Sequence, residues 1–313
     1  MDCSSRPRIL VAAPLDAAAD AALDAASEVV RAASPDEATL RSLIGDCDAL
    51  VARTNTPVSR ELLRSGKRLR CVGVAGVGVE RVDLEAAREF GVEVLSTPTA
   101  ASDAVAEFTV ALILELLRPI RRMAAEYQAG RFDAARREAH GVELRGLTIG
   151  IVGMGRIGSR VGRICAAGFG ARVLYNDIVD VGPFDFAAAP ADKQQIWRES
   201  DVLTLHVPLT DSTRGMLDDN VFVQLRQSAH LINTARGAVI DTQALVNALA
   251  SGRIGGAALD VTDPEPLPVG HPLLASPRCI VTPHVAARTH EGLRRMCAVV
   301  DDVIAFLRAG QRA

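Results

Sequence analysis

Lysine is almost missing from this chain: Lys67 and Lys193 are the only two among 313 residues, and arginine supplies the remaining basic charge. Positive charge is not in excess either. Against 35 basic residues stand 38 acidic ones, and a formal net charge of −3 excludes the basic footprint of a nucleic-acid or anionic-membrane binder. Cys-x-x-Cys pairs are absent. The six cysteines (Cys3, Cys47, Cys71, Cys165, Cys279 and Cys297) are scattered, which removes a zinc site and a disulfide framework and leaves them as small apolar residues. The longest apolar stretch, Val110 to Leu114, is stopped by Glu115 and cannot span a bilayer; the run after Arg8 is too short for the core of a secretory signal. Repeats of solenoid period and low-complexity segments are missing too. What is left is a globular composition, 49% hydrophobic and 23% charged, long enough for two domains. It is expected in the cytoplasm, without metal, membrane or nucleic-acid partner.

Leu147-Thr-Ile-Gly-Ile-Val-Gly153-Met-Gly155-Arg-Ile-Gly158 stands out from this background. Leu147 to Val152 is a short run rich in β-branched residues, the pattern of a strand buried on both faces. Gly153 allows a tight turn, Gly155 a close approach of backbone to a pyrophosphate, and Gly158 close packing of the following helix on the strand. Alone, such a glycine loop is equally an ordinary strand–turn–helix corner. A second strand, Ala171 to Asn176, ends in Asp177, about where an acid for the ribose hydroxyls belongs. Asp177 read as a turn or cap is the alternative. Dinucleotide binding is the better reading, and with no arginine beside Asp177 the cofactor expected is NAD rather than NADP.

The chain alternates strands and helices. Strands are expected at Arg8–Ala13, Glu28–Arg31, Asp48–Arg53, Leu69–Ala75 and Val92–Leu95, and helices at Asp16–Ala26 and Asp83–Phe90. Ser34-Pro-Asp-Glu37 reads as a capping box with proline at the first helical position, opening a helix through Ile44. Thr97–Ser102 breaks the pattern as a hinge. An apolar helix Asp103–Leu117 follows, and Pro119 begins a more polar continuation to Gly130. Later strands are expected at Val202–Leu205, His230–Thr234, Gly256–Val261 and Cys279–Thr282, and a final helix at Glu291–Arg308. The alternation implies right-handed βαβ units and parallel sheets.

Ligands of such sheets sit beyond the carboxyl ends of the strands. Three polar residues occupy successive ends there: Arg236, Glu265 and His284. Singly, they read as a surface arginine, a solvated turn and a structural histidine. Together, a histidine–carboxylate pair beside an arginine is what reduction of a 2-oxo acid requires. Of the other histidines, His206 stands at a strand end before Pro208, where it would line the cofactor site. His140, His230, His271 and His290 read as structural or exposed.

The runs Asn233-Thr-Ala-Arg236-Gly-Ala-Val-Ile-Asp241, Ala-Leu-Asp260-Val-Thr-Asp-Pro-Glu265-Pro and Thr-Pro-His284-Val-Ala carry a resemblance. With Gly76-Val-Gly-Val-Glu-Arg-Val-Asp83, Val105-Ala-Glu107, Gly141 to Gly146 and His206-Val-Pro-Leu-Thr210, the chain is similar to the D-isomer-specific 2-hydroxyacid dehydrogenases over nearly its whole length. The resemblance implies an α/β fold of two doubly wound parallel-sheet domains. A flavodoxin-like substrate domain would comprise residues 1–100 and 285–313, and a Rossmann NAD-binding domain residues 101–284. Catalysis would fall to Arg236, Glu265 and His284, with Glu265 orienting His284. NAD would meet Gly153, Gly155, Arg156, Ile157, Gly158 and Asp177. Further along, His206, Pro208, Thr213, Thr234, Ala235, Asp260 and His284 would join it, Asp260 at the nicotinamide carboxamide. Substrate would meet Arg53, Ala75, Gly76, Val77, Arg236 and His284. The apolar helix after the hinge would serve a homodimer.

Departures from the family pattern bear on the substrate. Ala287, Glu80 and Phe108 replace the commoner glycine, aspartate and histidine, and Val74 stands where phosphoglycerate dehydrogenases often carry arginine, although Arg53 is kept. A glyoxylate- or hydroxypyruvate-like 2-oxo acid is therefore expected. The alternatives are 3-phosphoglycerate oxidation and a non-catalytic, corepressor-like NAD sensor. Formate and phosphite dehydrogenases share the resemblance, but Glu265 beside His284 favours 2-oxo acid chemistry.

Overall fold

A computed structural model describes residues 6–138 and 140–309. The chain divides into two compact units, one built from residues up to Ala101 and from Ala287 onward, the other from Ser102–Ala286. Cys3 lies outside the described residues.

The first unit is built on five strands: β1 (Arg8–Val11), β2 (Glu28–Arg31), β3 (Ala49–Arg53), β4 (Cys71–Ala75) and β5 (Glu93–Ser96). All are parallel, in the order β2-β1-β3-β4-β5. This is the flavodoxin-like order, with its switch point between β1 and β3. The inner strands β3 and β4 are continuous apolar runs because helices cover both their faces, whereas the edges β2 and β5 are half exposed. Asp16, Ser59 and Asp83 each cap a helix by accepting from its first free N–H groups. The terminal stripe Val299, Val300, Val303 and Leu307 packs with Ile9, Val11 and Cys71, so a segment from the end of the chain closes the core of its beginning.

The second unit carries β6 (Thr148–Val152), β7 (Arg172–Asn176), β8 (Ala189–Pro190), β9 (Val202–Leu205), β10 (His230–Asn233), β11 (Gly256–Leu259) and β12 (Cys279–Val281). Their order, β12-β11-β10-β9-β6-β7-β8, is the Rossmann order with one added strand. The chain reverses between β6 and β9, and that crevice is where the glycine loop emerges. One face of the sheet is covered by helices Ser102–Leu117 and Arg156–Arg163, the other by Lys193–Glu199 and Thr242–Ala250.

Two local expectations need correction. The helix after β2 runs Glu37–Leu43 and is capped by Asp36, not Ser34: the Asp36 carboxylate takes the Thr39 N–H, while the Ser34 hydroxyl takes the Asp36 N–H. The single helix expected over 291–308 is two, His290–Cys297 and Val299–Ala309, parted at Ala298. The polar continuation after Pro119 is the helix Ile120–Gln128, closed at Gly130 with φ 75°, and a further short helix, Phe132–Glu138, follows beyond it.

Candidate active site

The glycine loop leaves β6 at the switch point. Gly153 has φ 92°, and a Cβ there would lie 2.4 Å from the His206 carbonyl oxygen; a Cβ on Gly158 would lie 2.0 Å from the Gly153 oxygen. Both positions therefore exclude a side chain. Gly155 differs: nothing stands within 4 Å of its missing Cβ, so the space above it is open. Gly155 is the N-cap of the helix Arg156–Arg163, and no side chain caps that end. The N–H groups of the first turn, from Arg156 to Gly158, are left to face an anion with the positive end of the helix dipole behind them.

Asp177 follows β7, and its Oδ2 accepts the Met154 N–H at 2.7 Å while Oδ1 accepts that of Val179 at 3.2 Å. It is thus the cap that the alternative reading described, but one bound to the glycine loop itself, with lone pairs left to accept further hydrogen bonds. Ile178 beside it is 96% exposed. An open cradle of N–H donors with an anchored carboxylate next to it fits a dinucleotide whose ribose hydroxyls need an acceptor.

Across the crevice, the N–H of His206 donates to Val152. Its imidazole Nε2 pairs with the Thr204 hydroxyl at 3.0 Å, whereas Nδ1 is out of solvent with no partner among the described residues. Burial pushes the His206 pKa down to about 3, so the ring is neutral. A buried ring nitrogen awaiting a partner is consistent with a ligand beside it. Thr213 closes the loop after Pro208 by donating to the Pro208 carbonyl at 2.7 Å. The Thr234 hydroxyl turns away into the core, 2.9 Å from that of Thr109.

Arg236, Glu265 and His284 lie beyond β10, β11 and β12, three adjacent strands. Glu265 Oε1 stands 2.7 Å from His284 Nδ1, and Oε2 receives the Thr262 N–H at 3.3 Å. A carboxylate beside Nδ1 accepts the hydrogen bond of its N–H, which fixes that proton on Nδ1 and leaves Nε2 as the working nitrogen. Both side chains are about half exposed, so the pair opens to solvent. Arg236 is extended at φ −144°, ψ 139°, with one guanidinium nitrogen 2.8 Å from the Ala235 carbonyl. The neighbouring loops touch: a Cβ on Gly237 would fall 2.1 Å from the Thr262 carbonyl carbon and oxygen.

Two residues that sequence reasoning left without a positioning role hold these loops. Asn233, at the end of β10, accepts the Ala235 N–H and donates to the Arg236 carbonyl. Asp260, at the end of β11, receives Thr282, Val285 and Ala286 around His284. The available signal was a polar residue closing an apolar strand.

In the other unit, Arg53 ends β3 and Ala75 ends β4, with Gly76 at φ 153° and Val77 in the loop beyond. Val74 is 1% exposed and packs with Leu10, Val72 and Val82. The lack of arginine there is a packing fact, so it does not by itself speak against a phosphorylated substrate. Among the described residues no cluster of His, Cys, Asp and Glu is suited to a metal ion, and no helix is long and apolar enough to cross a membrane.

Residues 110–286 match the family described as D-isomer specific 2-hydroxyacid dehydrogenase, NAD binding domain. A glyoxylate reductase of Aeropyrum pernix is 39% identical over 87% of this chain and 83% of its own length. A D-3-phosphoglycerate dehydrogenase of Methanocaldococcus jannaschii is 36% identical over 98% of this chain, which spans only 58% of that protein. A crystal structure of a Thermus thermophilus protein superposes with a TM-score of 0.90 at 37% identity, covering 96% of this chain and 97% of the other.

Proposed function

The chain belongs to the D-isomer-specific 2-hydroxyacid dehydrogenase family, and on that premise we propose that it reduces a small glyoxylate- or hydroxypyruvate-like 2-oxo acid to the 2-hydroxy acid. The cofactor is NAD. The observation that carries the reading is the 2.7 Å contact of Glu265 with His284 Nδ1 beside the Arg236 loop. The glyoxylate reductase relative supports the choice of acid.

When bound, NADH supplies the hydride that reduces the substrate's C2. The glycine loop and the uncapped helix end hold the pyrophosphate, and Asp177 accepts from the ribose. Asp177 would repel a 2′-phosphate, which supports NADH over NADPH. Glu265 fixes the imidazole so that protonated His284 gives its Nε2 proton to the carbonyl oxygen as charge develops there. Arg236 neutralises that charge and holds the substrate carboxylate. General acid transfer and a fixed cation are each worth several kcal/mol in such chemistry.

A cytoplasmic homodimer completes the reading. Most of the helix Ser102–Leu117 is buried within its own unit, so the surface offered to a second copy is the next segment. There Ile120 and Tyr127 are each 65% exposed, and Phe132 packs on Tyr127. The phosphoglycerate dehydrogenase relative favours a second reading, oxidation of 3-phosphoglycerate. The deciding experiment is NADH oxidation by the purified protein with glyoxylate, hydroxypyruvate, pyruvate and 3-phosphohydroxypyruvate. Turnover confined to the phosphorylated acid supports the second reading, and turnover of none points to a non-catalytic NAD sensor.

A further inference from the structure

Two fully buried polar side chains stand side by side at the ends of β10 and β11: Asn233 at 0% and Asp260 at 1% exposure. A buried polar group is costly unless its bonds are made, and both spend theirs on the catalytic loops. Asn233 Oδ1 accepts the Ala235 N–H at 3.0 Å and Nδ2 donates to the Arg236 carbonyl at 2.9 Å, so one amide closes the turn carrying the cation from both sides. Asp260 Oδ1 accepts from the Thr282 hydroxyl at 2.6 Å and the Val285 N–H at 2.9 Å; Oδ2 accepts the Ala286 N–H at 2.8 Å. Its backbone carbonyl accepts the His284 N–H at 2.9 Å, and its own N–H donates to the Asn233 carbonyl at 2.9 Å.

His284 lies between these anchors at φ 55°, the only non-glycine residue with positive φ among those described. L residues avoid that region, and one persists there only where its surroundings over-determine it. Here one aspartate supplies that determination, receiving hydrogen bonds from residues 282, 284, 285 and 286. The φ of residue 284 sets where its imidazole leaves the backbone, and hence whether Nδ1 reaches Glu265.

We propose that Asn233 and Asp260 are a linked pair of positioning residues, Asn233 for Arg236 and Asp260 for His284. Three of the roughly four acceptor sites of a carboxylate are already taken at Asp260, which makes holding this loop its main task and contact with the nicotinamide at most an accessory one. The kinetic part of the proposal rests on the 2-oxo acid reductase reading; the structural part does not.

Asp260→Asn keeps the shape but turns one acceptor into a donor facing donors. With the reductase substrate, kcat is expected to fall by up to about 10²-fold, the cost of a misplaced catalytic group. NADH affinity, read from fluorescence on binding, falls by far less than kcat. Hydrogen exchange followed by mass spectrometry shows lost protection in peptides covering 282–286 and none in those covering 102–117. Thr282→Val, which removes a single donor and is mild enough to fold, moves kcat and exchange the same way by less. Asn233→Ala raises KM for the acid more than it lowers kcat. Parent-like exchange over 282–286 in both Asp260→Asn and Thr282→Val overturns the proposal. A fall in NADH affinity as large as the fall in kcat also overturns it and makes Asp260 a direct cofactor ligand. If the unmodified protein reduces no 2-oxo acid, the functional reading fails and the exchange result alone decides the positioning role.

Discussion

Adding one methyl group at Gly158 and at Gly155 should produce different failures. A Cβ on residue 158 would sit 2.0 Å from the Gly153 oxygen, against an ordinary carbon–oxygen approach of about 3.3 Å or more. Backbone must therefore retreat by more than about 1 Å, and Gly153 cannot retreat freely because it abuts the His206 carbonyl. Overpacking of this kind costs about 1–3 kcal/mol, which for a domain of this size lowers Tm by about 2–12 °C. In the proposed cofactor site the same displacement would remove at least one N–H from the pyrophosphate. A hydrogen bond to a charged group is worth about 1.5–3 kcal/mol, so NADH should bind about 10- to 100-fold more weakly. Gly155→Ala meets nothing within 4 Å, and alanine at an N-cap costs less than about 1 kcal/mol relative to glycine. Its Tm should stay near that of the parent, yet its methyl group enters the space left for the pyrophosphate, and NADH affinity should fall. The assays are differential scanning calorimetry without ligand and a fluorescence titration with NADH. A Gly158→Ala protein with the parent Tm would refute the packing argument, and a Gly155→Ala protein with the parent affinity would refute the cradle.

Other outcomes follow from the same geometry. His284→Ala should lower kcat by about 10²–10⁴-fold while NADH affinity, set mainly by the glycine loop and Asp177, changes far less, and Glu265→Gln, which keeps a hydrogen-bonding group on Nδ1, should lose less; steady-state kinetics beside binding titrations check both. Replacing Asp177 by serine should narrow the preference for NADH over NADPH, and an unchanged ratio of kcat/KM values would remove Asp177 from cofactor choice. His206 has its folded pKa depressed to about 3 from 6.5, so between those values the unfolded chain binds a proton that the native chain refuses. Stability should fall as pH drops from about 6.5 towards 3, and the fall should be shallower in His206→Asn when Tm is followed against pH.

The strands were legible because burial on both faces demands continuous apolar runs, and β9 begins and ends where its sequence says. The expected strand ends placed Arg236, Glu265 and His284 at successive positions from the sequence alone, and their strands are adjacent in the sheet. Short helices such as Arg60–Ser65 and Lys193–Glu199 escaped notice, since one or two turns carry too little periodicity to separate from a loop. Ser34 and Asp36 are both competent caps, and only the position of the Thr39 N–H chooses between them. Val74 shows a further limit: the family pattern flagged the position, but which way its side chain faces depends on the sheet. The bonds of Asp260 were out of reach for another reason, because its partners lie 22 to 26 residues downstream and no local spacing encodes them.

The bare Cα of Gly237 against the Thr262 carbonyl has an evolutionary consequence. Any single-nucleotide change that gives residue 237 a side chain drives a wedge between the loop bearing Arg236 and the loop leading to Glu265. Such a lineage does not drift through slightly worse intermediates at this position; it loses the registration of cation and acid in one step. Variation in substrate preference must then accumulate elsewhere, while the seam between these two loops is inherited intact.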